Sequence, residues 1–470
     1  MGFGVNGIMR VDEGRALRWE YFNIQYIVGN IMQFDFEHYL KAGHGRAYLI
    51  AKEDPGKYRE TILNACRKDY TFDMQCEGSR AFLTADLVSL FDDPEPFIKA
   101  AIESFASTKI DNVADEVQYL SDFLMEFGLR RIILRKYLDL WKTVKNTPFD
   151  ELKEDYIHLR FNLEYLAIKL VKNHSWKVAE KIVTDIGEWY ISLGEDAESE
   201  FIWFYSTLEN QFGEEETREH LLKLAETSPE IKAFCDNDLE YSKDFGKRIT
   251  RRKNKLTASE VVEKLKENPE LKGIAILRLG VRNMEDQEIK ALANAAADTD
   301  SSVLRTQIVS VFDTPRFAWP LDPGLLLAWS SEGDDELRAV CHSALTEVTG
   351  TGMREYARKC LENGFDADCL SMLIRNYDPS DEAYILSMLE SVPIDEENEG
   401  VWHGLGQVIN DSYKTLPASI LMWVYNSTLC SCCREYTLDH LIERDALTDG
   451  MQNECMWDAN LDIREQIEKV

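Results

Sequence analysis

The sequence predicts an all-α protein, and three observations support that prediction. Glycine and proline number only 25 and 12 among 470 residues, and so few helix-breaking residues favour helices over turn-rich sheets. Apolar residues recur at steps of three and four, which is the period of one helix face. No run of four or more residues shows the strict alternation of a strand bounded by turn signals.

Five apolar stripes indicate the helices most clearly. Short polar breaks separate the helices, and the acidic residues in these breaks suit the N-terminal dipole and can cap the helix that follows. In chain order the stripes are Tyr156–Leu159–Leu163–Leu166–Leu170, Val178–Ile182–Ile186–Trp189–Leu193, Phe201–Tyr205–Leu208–Phe212, Leu271–Ile274–Leu277–Val281 and Leu337–Cys341–Ala344–Val348.

The chain is predicted to contain two helical parts joined by a basic segment. Residues 1–245 are rich in aromatic side chains, and residues 257–470 carry a repeated local pattern. Between them, residues 246–256 concentrate lysine and arginine side chains. We interpret this segment as a solvated linker or joint, and the alternative is a docking patch for an acidic partner or a nucleic acid.

The repeated pattern is a helix start that occurs at Asp300–Arg305, Asp334–Arg338 and Asn460–Arg464. Each copy places an Asn, Asp or Ser cap before an aliphatic residue, with an Arg in the first turn. The cap can satisfy backbone N–H groups that lack a helical partner, and the Arg is expected to reach carboxylates of the adjacent helix pair.

This pattern resembles the start of the second helix in HEAT repeats, which are antiparallel helix pairs of ~40–47 residues that stack into a superhelix. The chain is similar to uncharacterised bacterial HEAT-repeat-containing proteins. The resemblance implies a right-handed α-α superhelix, a HEAT/ARM-like solenoid, and it is carried by residues 257–470. It implies no activity.

Charge and hydropathy narrow the choice of partners and compartment. The formal net charge is −31, which repels phosphate backbones, so nucleic acid is not an expected partner, whereas a basic protein or peptide is allowed. The sequence has no run of ~18 apolar residues, so no membrane span is expected. Residues Met1–Arg10 lack the apolar core of a secretory signal, so we expect a cytoplasmic protein with reduced thiols.

A first candidate binding site combines two polar stretches near the start of the chain. Two glycines flank a histidine in Gly43–Arg46, and they allow close approach of a backbone or a ligand. The second stretch, Asp73–Arg80, opens a predicted helix. We interpret this rim cluster as a hydrogen-bond network between helices, and a peptide or small-anion site is the alternative. The candidate residues are His44, Arg46, Asp73, Gln75, Glu77 and Arg80.

A second candidate site is a C-x-x-C pair, Cys430 and Cys433, with His440 and Cys455 further along the chain. This spacing is used for zinc and for redox chemistry. The second ligand pair is poorly spaced, and no βαβ context favours thioredoxin-like chemistry. Buried thiols are therefore the first interpretation, and a zinc site is the alternative.

The sequence favours a non-enzymatic scaffold or adaptor that binds a protein or peptide on a solenoid surface. Neither a P-loop nor a Gly-x-Ser-x-Gly motif occurs, and no nucleophile is paired with a base. Two alternatives remain. One is an acidic inhibitor or immunity-type protein that masks a basic target, and the other is an enzyme or metal-dependent sensor at His44 and Arg46 or at Cys430 and Cys433. The oligomeric state is left open.

Overall fold

The structure is a computed structural model that describes residues 34–72, 77–108, 114–147, 156–172, 174–193, 201–239, 256–271, 281, 284–312, 317–391 and 398–470. In these ranges the regular elements are helices and no strand occurs, so the all-α prediction is confirmed. Within the same ranges no helix combines the length and the apolarity that crossing a membrane requires.

The chain divides into two compact units. The first unit joins residues Phe36–Lys253 to Gly450–Val470, and residues Asn254–Asp449 make up most of the second unit. The basic segment at 246–255 and most of the predicted stripe at 271–281 lie outside the described residues.

Twelve described helices precede the basic segment. Residues Cys235–Leu239 extend the last of them as a π-helix. The helices are α1 (Phe36–Lys41), α2 (Arg46–Glu53), α3 (Arg59–Ala65), α4 (Ala81–Val88), α5 (Glu95–Ser107), α6 (Ala114–Glu126), α7 (Arg130–Asn146), α8 (Tyr156–Val171), α9 (Trp176–Leu193), α10 (Ile202–Phe212), α11 (Glu214–Ala225) and α12 (Pro229–Phe234).

The described helices that follow have at most 13 residues, and the last two belong largely to the first unit. They are α13 (Ala258–Glu267), α14 (Asp286–Asp298), α15 (Ser302–Val309), α16 (Pro323–Glu332), α17 (Asp335–Leu345), α18 (Met353–Leu361), α19 (Ala367–Arg375), α20 (Glu382–Ser391), α21 (Glu399–Asp411), α22 (Ala418–Ser427), α23 (Ser431–Glu443), α24 (Asp449–Cys455) and α25 (Leu461–Ile467).

Alternate helices pack side by side in both units. In the first unit α2, α4, α6, α8 and α10 contact one another in series, and in the second unit α15, α17, α19, α21 and α23 do the same. The predicted stripes of α8 and α17 lie on helices of these two series. Leu159, Leu163 and Leu166 of α8 are fully buried, as are Cys341 and Ala344 of α17. The helical period therefore identified the core faces correctly.

The second unit repeats one kind of helix start at regular intervals. The N-cap residues of α15, α17, α19, α21 and α23 are Ser301, Asp334, Asp366, Asn398 and Cys430, spaced by 32 or 33 residues. At Ser301, Asp334 and Asp366 a side-chain oxygen accepts a hydrogen bond from the backbone N–H three residues later. The repeat is therefore shorter than the ~40–47 residues of HEAT repeats.

The arginines in these helix starts bind mainly backbone carbonyl oxygens, whereas carboxylates of the adjacent helix pair were expected. They donate to carbonyl oxygens at the end of the preceding helix or in the turn after it: Arg305 to Ala296, Arg338 to Ser330, Arg434 to Thr428 and Arg464 to Asp458. The expected contact with a carboxylate of another helix is made by Arg464, whose Nη2 lies 2.7 Å from Asp86 Oδ2 on α4. Guanidinium groups favour these carbonyls because the last carbonyls of a helix have no helical donor.

Candidate functional site

The two glycines of the rim cluster allow residues 43–45 to pack directly on the chain between α24 and α25. Gly43 has a φ of +66°, and a Cβ on it would lie 2.9 Å from the Cβ of Ala459. A Cβ on Gly45 would lie 1.8 Å from the carbonyl oxygen of Glu454. The N–H of Ala459 donates to the carbonyl of Gly43 at 2.9 Å. The close approach predicted for this loop is therefore an approach to another segment of the chain.

Arg46 connects the loop to α24. Its Nε and Nη2 donate to the two carboxylate oxygens of Glu454 at 2.6 and 2.9 Å, and its Nη1 donates to the Tyr39 hydroxyl at 2.7 Å. His44 is fully buried, and its Nδ1 accepts a hydrogen bond from the N–H of Arg46 at 3.1 Å. A two-point guanidinium–carboxylate pair of this kind fixes both position and orientation.

The other half of the rim cluster is a buried ion pair. Arg80 Nη2 lies 2.8 Å from Glu77 Oε2, and the side chains are 3% and 0% exposed. Arg80 also donates to the carbonyls of Tyr70 and Ala42. Asp73 and Gln75 lie outside the described residues. The observed contacts of the rim cluster join protein groups to one another, which fits the interpretation as a network between helices.

The thiol cluster consists of Cys430, Cys433 and His403, and it forms where α21 packs against α23. Cys430 is the N-cap of α23, and its Sγ accepts from the N–H of Cys433 at 3.4 Å. Cys433 Sγ lies 3.6 Å from His403 Nδ1. The three side-chain ligand atoms all lie within 4.8 Å of one another. Both sulfurs are buried, with Cys430 2% and Cys433 6% exposed.

Hydrogen bonds lower the pKa of the Cys430 thiol well below its ordinary value. The thiols of Cys432 and Cys433 make the largest contributions, followed by the His403 imidazole and the Cys433 N–H, and burial opposes them. The position at a helix N-terminus acts in the same direction. These contacts therefore favour the thiolate form of Cys430.

The remaining sequence-predicted ligands lie elsewhere. His440 stacks on Tyr413 with ring centroids 3.6 Å apart, and burial lowers the pKa of this histidine. Cys455 is fully buried at the end of α24 and belongs to the first unit. The structure thus brings Cys430 and Cys433 together with His403, a residue that the sequence analysis did not select.

A second group of this type involves His342, Cys360 and Cys369. Here both ring nitrogens of His342 face oxygen atoms, with Nδ1 3.1 Å from Asp366 Oδ2 and Nε2 3.1 Å from the Tyr356 hydroxyl. Burial raises the pKa of the Cys369 thiol, and the neighbouring Asp366 raises it further. This group therefore favours a neutral Cys369 thiol and a hydrogen-bonded imidazole.

A cavity of about 360 Å³ lies in the second unit beside α17, α19 and α21. Its wall includes Gly400 and Gly404, four residues apart on one face of α21. A Cβ added to either glycine would meet no other atom within 4 Å. We call this space the glycine cavity.

Carboxylates dominate the charged part of the cavity wall. Glu347, Asp368 and Asp411 line it together with one cation, Arg375. Arg375 Nη2 lies 2.8 Å from Glu347 Oε1 and 3.4 Å from Asp411 Oδ2. The Asp411 side chain is 57% exposed, so it is available to a group that enters from solvent.

Comparisons with known proteins add no family or function. No protein-family model, no curated protein and no solved structure matches the chain.

Proposed function

We propose that this protein is a peptide-binding adaptor whose helix pairs stack as a solenoid, and that the glycine cavity receives a basic side chain of the partner. From the resemblance to HEAT repeats we keep only the stacking of helix pairs. The repeat of 32 or 33 residues is shorter than a HEAT repeat.

Serial packing supports the solenoid part of the proposal. α15 contacts α17, α17 contacts α19, α19 contacts α21, and α21 contacts α23. Four of these five helices pack on the helix that precedes them, in the pairs α14–α15, α16–α17, α18–α19 and α22–α23. Repeats that contact mainly their neighbours leave an extended surface for a partner chain.

The glycine pair is the observation that carries the binding proposal. Glycine inside a helix costs roughly 0.5–1 kcal/mol relative to alanine. Packing does not require this cost at Gly400 or Gly404, because neither position has an atom within 4 Å of an added Cβ. The two glycines instead keep a cavity open that larger side chains would fill, and an unfilled cavity with polar groups on its wall is a typical ligand site.

The charges favour a cationic occupant. Three carboxylates face one guanidinium, and that guanidinium is already paired with Glu347 and Asp411. A partner's Arg or Lys side chain can add a second ion pair at Asp411, whose side chain is 57% exposed. The net charge of −31 steers a basic segment to the same surface.

The experiment uses ten-residue peptides of randomised sequence with a fixed central Arg, Lys, citrulline or Leu, and it measures their binding to the full-length chain. We expect Arg and Lys peptides to bind and the neutral isostere citrulline to fail. Gly404→Leu, which fills the cavity, is expected to weaken binding by about tenfold or more. Ala383→Leu is the matched control, because it adds the same side chain at an exposed position of α20 away from the cavity.

Two results would overturn the proposal. One is unchanged peptide binding by Gly404→Leu. The other is binding that follows only the total charge of the peptide and disappears at moderate salt, which is the behaviour of an acidic inhibitor acting by charge mimicry.

A further inference from the structure

The position of Cys430 differs chemically from the positions that repeat it. In the preceding repeats the residue that caps the equivalent helix with its side chain is Ser301, Asp334 or Asp366. Oxygen is the preferred capping atom, and sulfur is a weak acceptor. A cysteine at this position therefore loses capping strength, and the fold alone gives no reason for it.

The repeats of α19 and α23 show what differs when the capping residue is Cys430 instead of an aspartate such as Asp366. In the repeat of α19 the cap is Asp366, whose carboxylate contacts His342. In the repeat of α23 the cap is Cys430, and the histidine of the adjacent helix is His403. Cys369 and Cys433 occupy the same position, three residues after the cap. In the repeat of α19, Cys369 Sγ also lies 3.7 Å from His342 Nδ1. The exchange at Cys430 therefore adds a capping sulfur where that repeat has a carboxylate oxygen.

We propose that Cys430, Cys433 and His403 bind a zinc ion. At zinc–sulfur and zinc–nitrogen bond lengths of ~2.3 and ~2.0 Å, a tetrahedral ion holds a sulfur and a nitrogen ligand about 3.5 Å apart. Cys433 Sγ and His403 Nδ1 lie 3.6 Å apart. The third ligand atom, Cys430 Sγ, lies within 4.8 Å of both. The cluster thus needs little rearrangement to coordinate the ion.

Further contacts around the cluster suit a structural metal site. The side-chain nitrogen of Gln407 lies 2.9 Å from His403 Nε2, and turning the Gln407 amide over would present its oxygen to the Nε2–H that a zinc-bound His403 carries. Asn410 of α21 donates to the carbonyl of Cys433 at 3.1 Å. Cys432 hydrogen-bonds to the Cys430 sulfur, so a third thiol lies beside the site.

The burial of Cys430 and Cys433 argues against a role in disulfide exchange. An exchanging dithiol must present a sulfur to another protein, whereas Cys430 is 2% and Cys433 6% exposed. Burial does not hinder a metal ion that stays in place, and closed sites with cysteine and histidine ligands are typical of structural zinc.

The experiment titrates the reduced full-length chain, freed of metal with a chelator, with Zn²⁺ and with Co²⁺ as a spectroscopic substitute. We expect one Co²⁺ per chain with thiolate-to-cobalt absorption, its displacement by Zn²⁺, and a higher melting temperature with Zn²⁺. Cys430→Ser and His403→Ala are expected to abolish the absorption. Cys430→Ser is informative because serine is a better cap than cysteine, so the variant keeps its fold.

The matched control is His440→Ala, which removes a histidine of α23 outside the cluster and is expected to leave Co²⁺ binding unchanged. Three results would overturn the proposal: no Co²⁺–thiolate absorption in the unmodified chain, full binding by Cys430→Ser, or loss of binding on Cys369→Ser with retention in Cys430→Ser. Peptide binding at the glycine cavity is measured separately, so either proposal can fail without the other.

Discussion

Replacing Gly404 with alanine is expected to stabilise the second unit, because Gly404 lies in the middle of α21 and alanine is favoured over glycine inside a helix. The added Cβ meets no atom within 4 Å outside the helix's own backbone. The substitution therefore removes the conformational freedom of glycine in the unfolded chain without a clash in the folded one.

The size of the effect follows from helix propensity. Alanine is favoured over glycine in a helix interior by roughly 0.5–1 kcal/mol. In a domain of ~150–250 residues, 1 kcal/mol corresponds to a shift in melting temperature of about 2–4 °C. We therefore expect Gly404→Ala to raise the transition of the second unit by about 1–4 °C in differential scanning calorimetry.

Gly187→Ala supplies the matched comparison, because it is the same exchange inside another helix. A Cβ on Gly187 of α9 would lie 1.8 Å from the carbonyl oxygen of Glu230 and 2.5 Å from the carbonyl carbon. Overpacking of this kind typically costs about 1–3 kcal/mol, which exceeds the gain in propensity. A lower transition temperature for Gly404→Ala, or a higher one for Gly187→Ala, would refute the reasoning.

Two further predictions concern charged groups of the first unit. Arg46→Ala is expected to lower the free energy of unfolding by about 2–4 kcal/mol in urea titrations, because Glu454, 12% exposed, loses a two-point partner; an unchanged midpoint would contradict this. Burial raises the pKa of Glu164 from 4.5 to about 7, although the N–H groups of Trp203 and Phe204 donate to it. Folding therefore favours its protonated form, and the stability that this gives is present below pH 4.5 and lost as the pH rises through 7. Glu164→Gln should remove a decline of about 3 kcal/mol over this interval, so equal pH dependence of the two proteins would argue against it.

Local signals in the sequence predicted the helices and several of their starts. Ser301, Asp334 and Asn460 are N-caps in the structure, as the repeated pattern indicated. A cap acts within three residues along the chain, so it can be recognised without knowledge of the tertiary structure. Cys430 was not recognised as a further copy of this cap because cysteine is not a preferred cap, although Arg434 stands in the first turn as it does in the other copies.

Contacts between distant segments had no comparable signal. Glu454, the partner of Arg46, lies 408 residues further along the chain. His403 joins Cys433 from a neighbouring helix 30 residues away, and only the spacing of 32 or 33 residues between caps would have suggested that these helices are adjacent. The cavity beside Gly404 was equally hidden, because a sequence shows the glycine but not the empty space next to it.

The first unit is built from two stretches of chain that are far apart in the sequence, and this has a consequence for biosynthesis. Residues 450–470 leave the ribosome after residues 254–449 have been made, an interval of about 10–40 s at ~5–20 residues per second. Until then Tyr48 lacks Trp457, which stacks on it with ring centroids 3.7 Å apart, and Arg46 lacks its carboxylate. The helix that carries Arg46 and Tyr48 thus waits for the residues that complete its unit, with an aromatic side chain uncovered. This is the period in which we expect a nascent chain to depend most on chaperones.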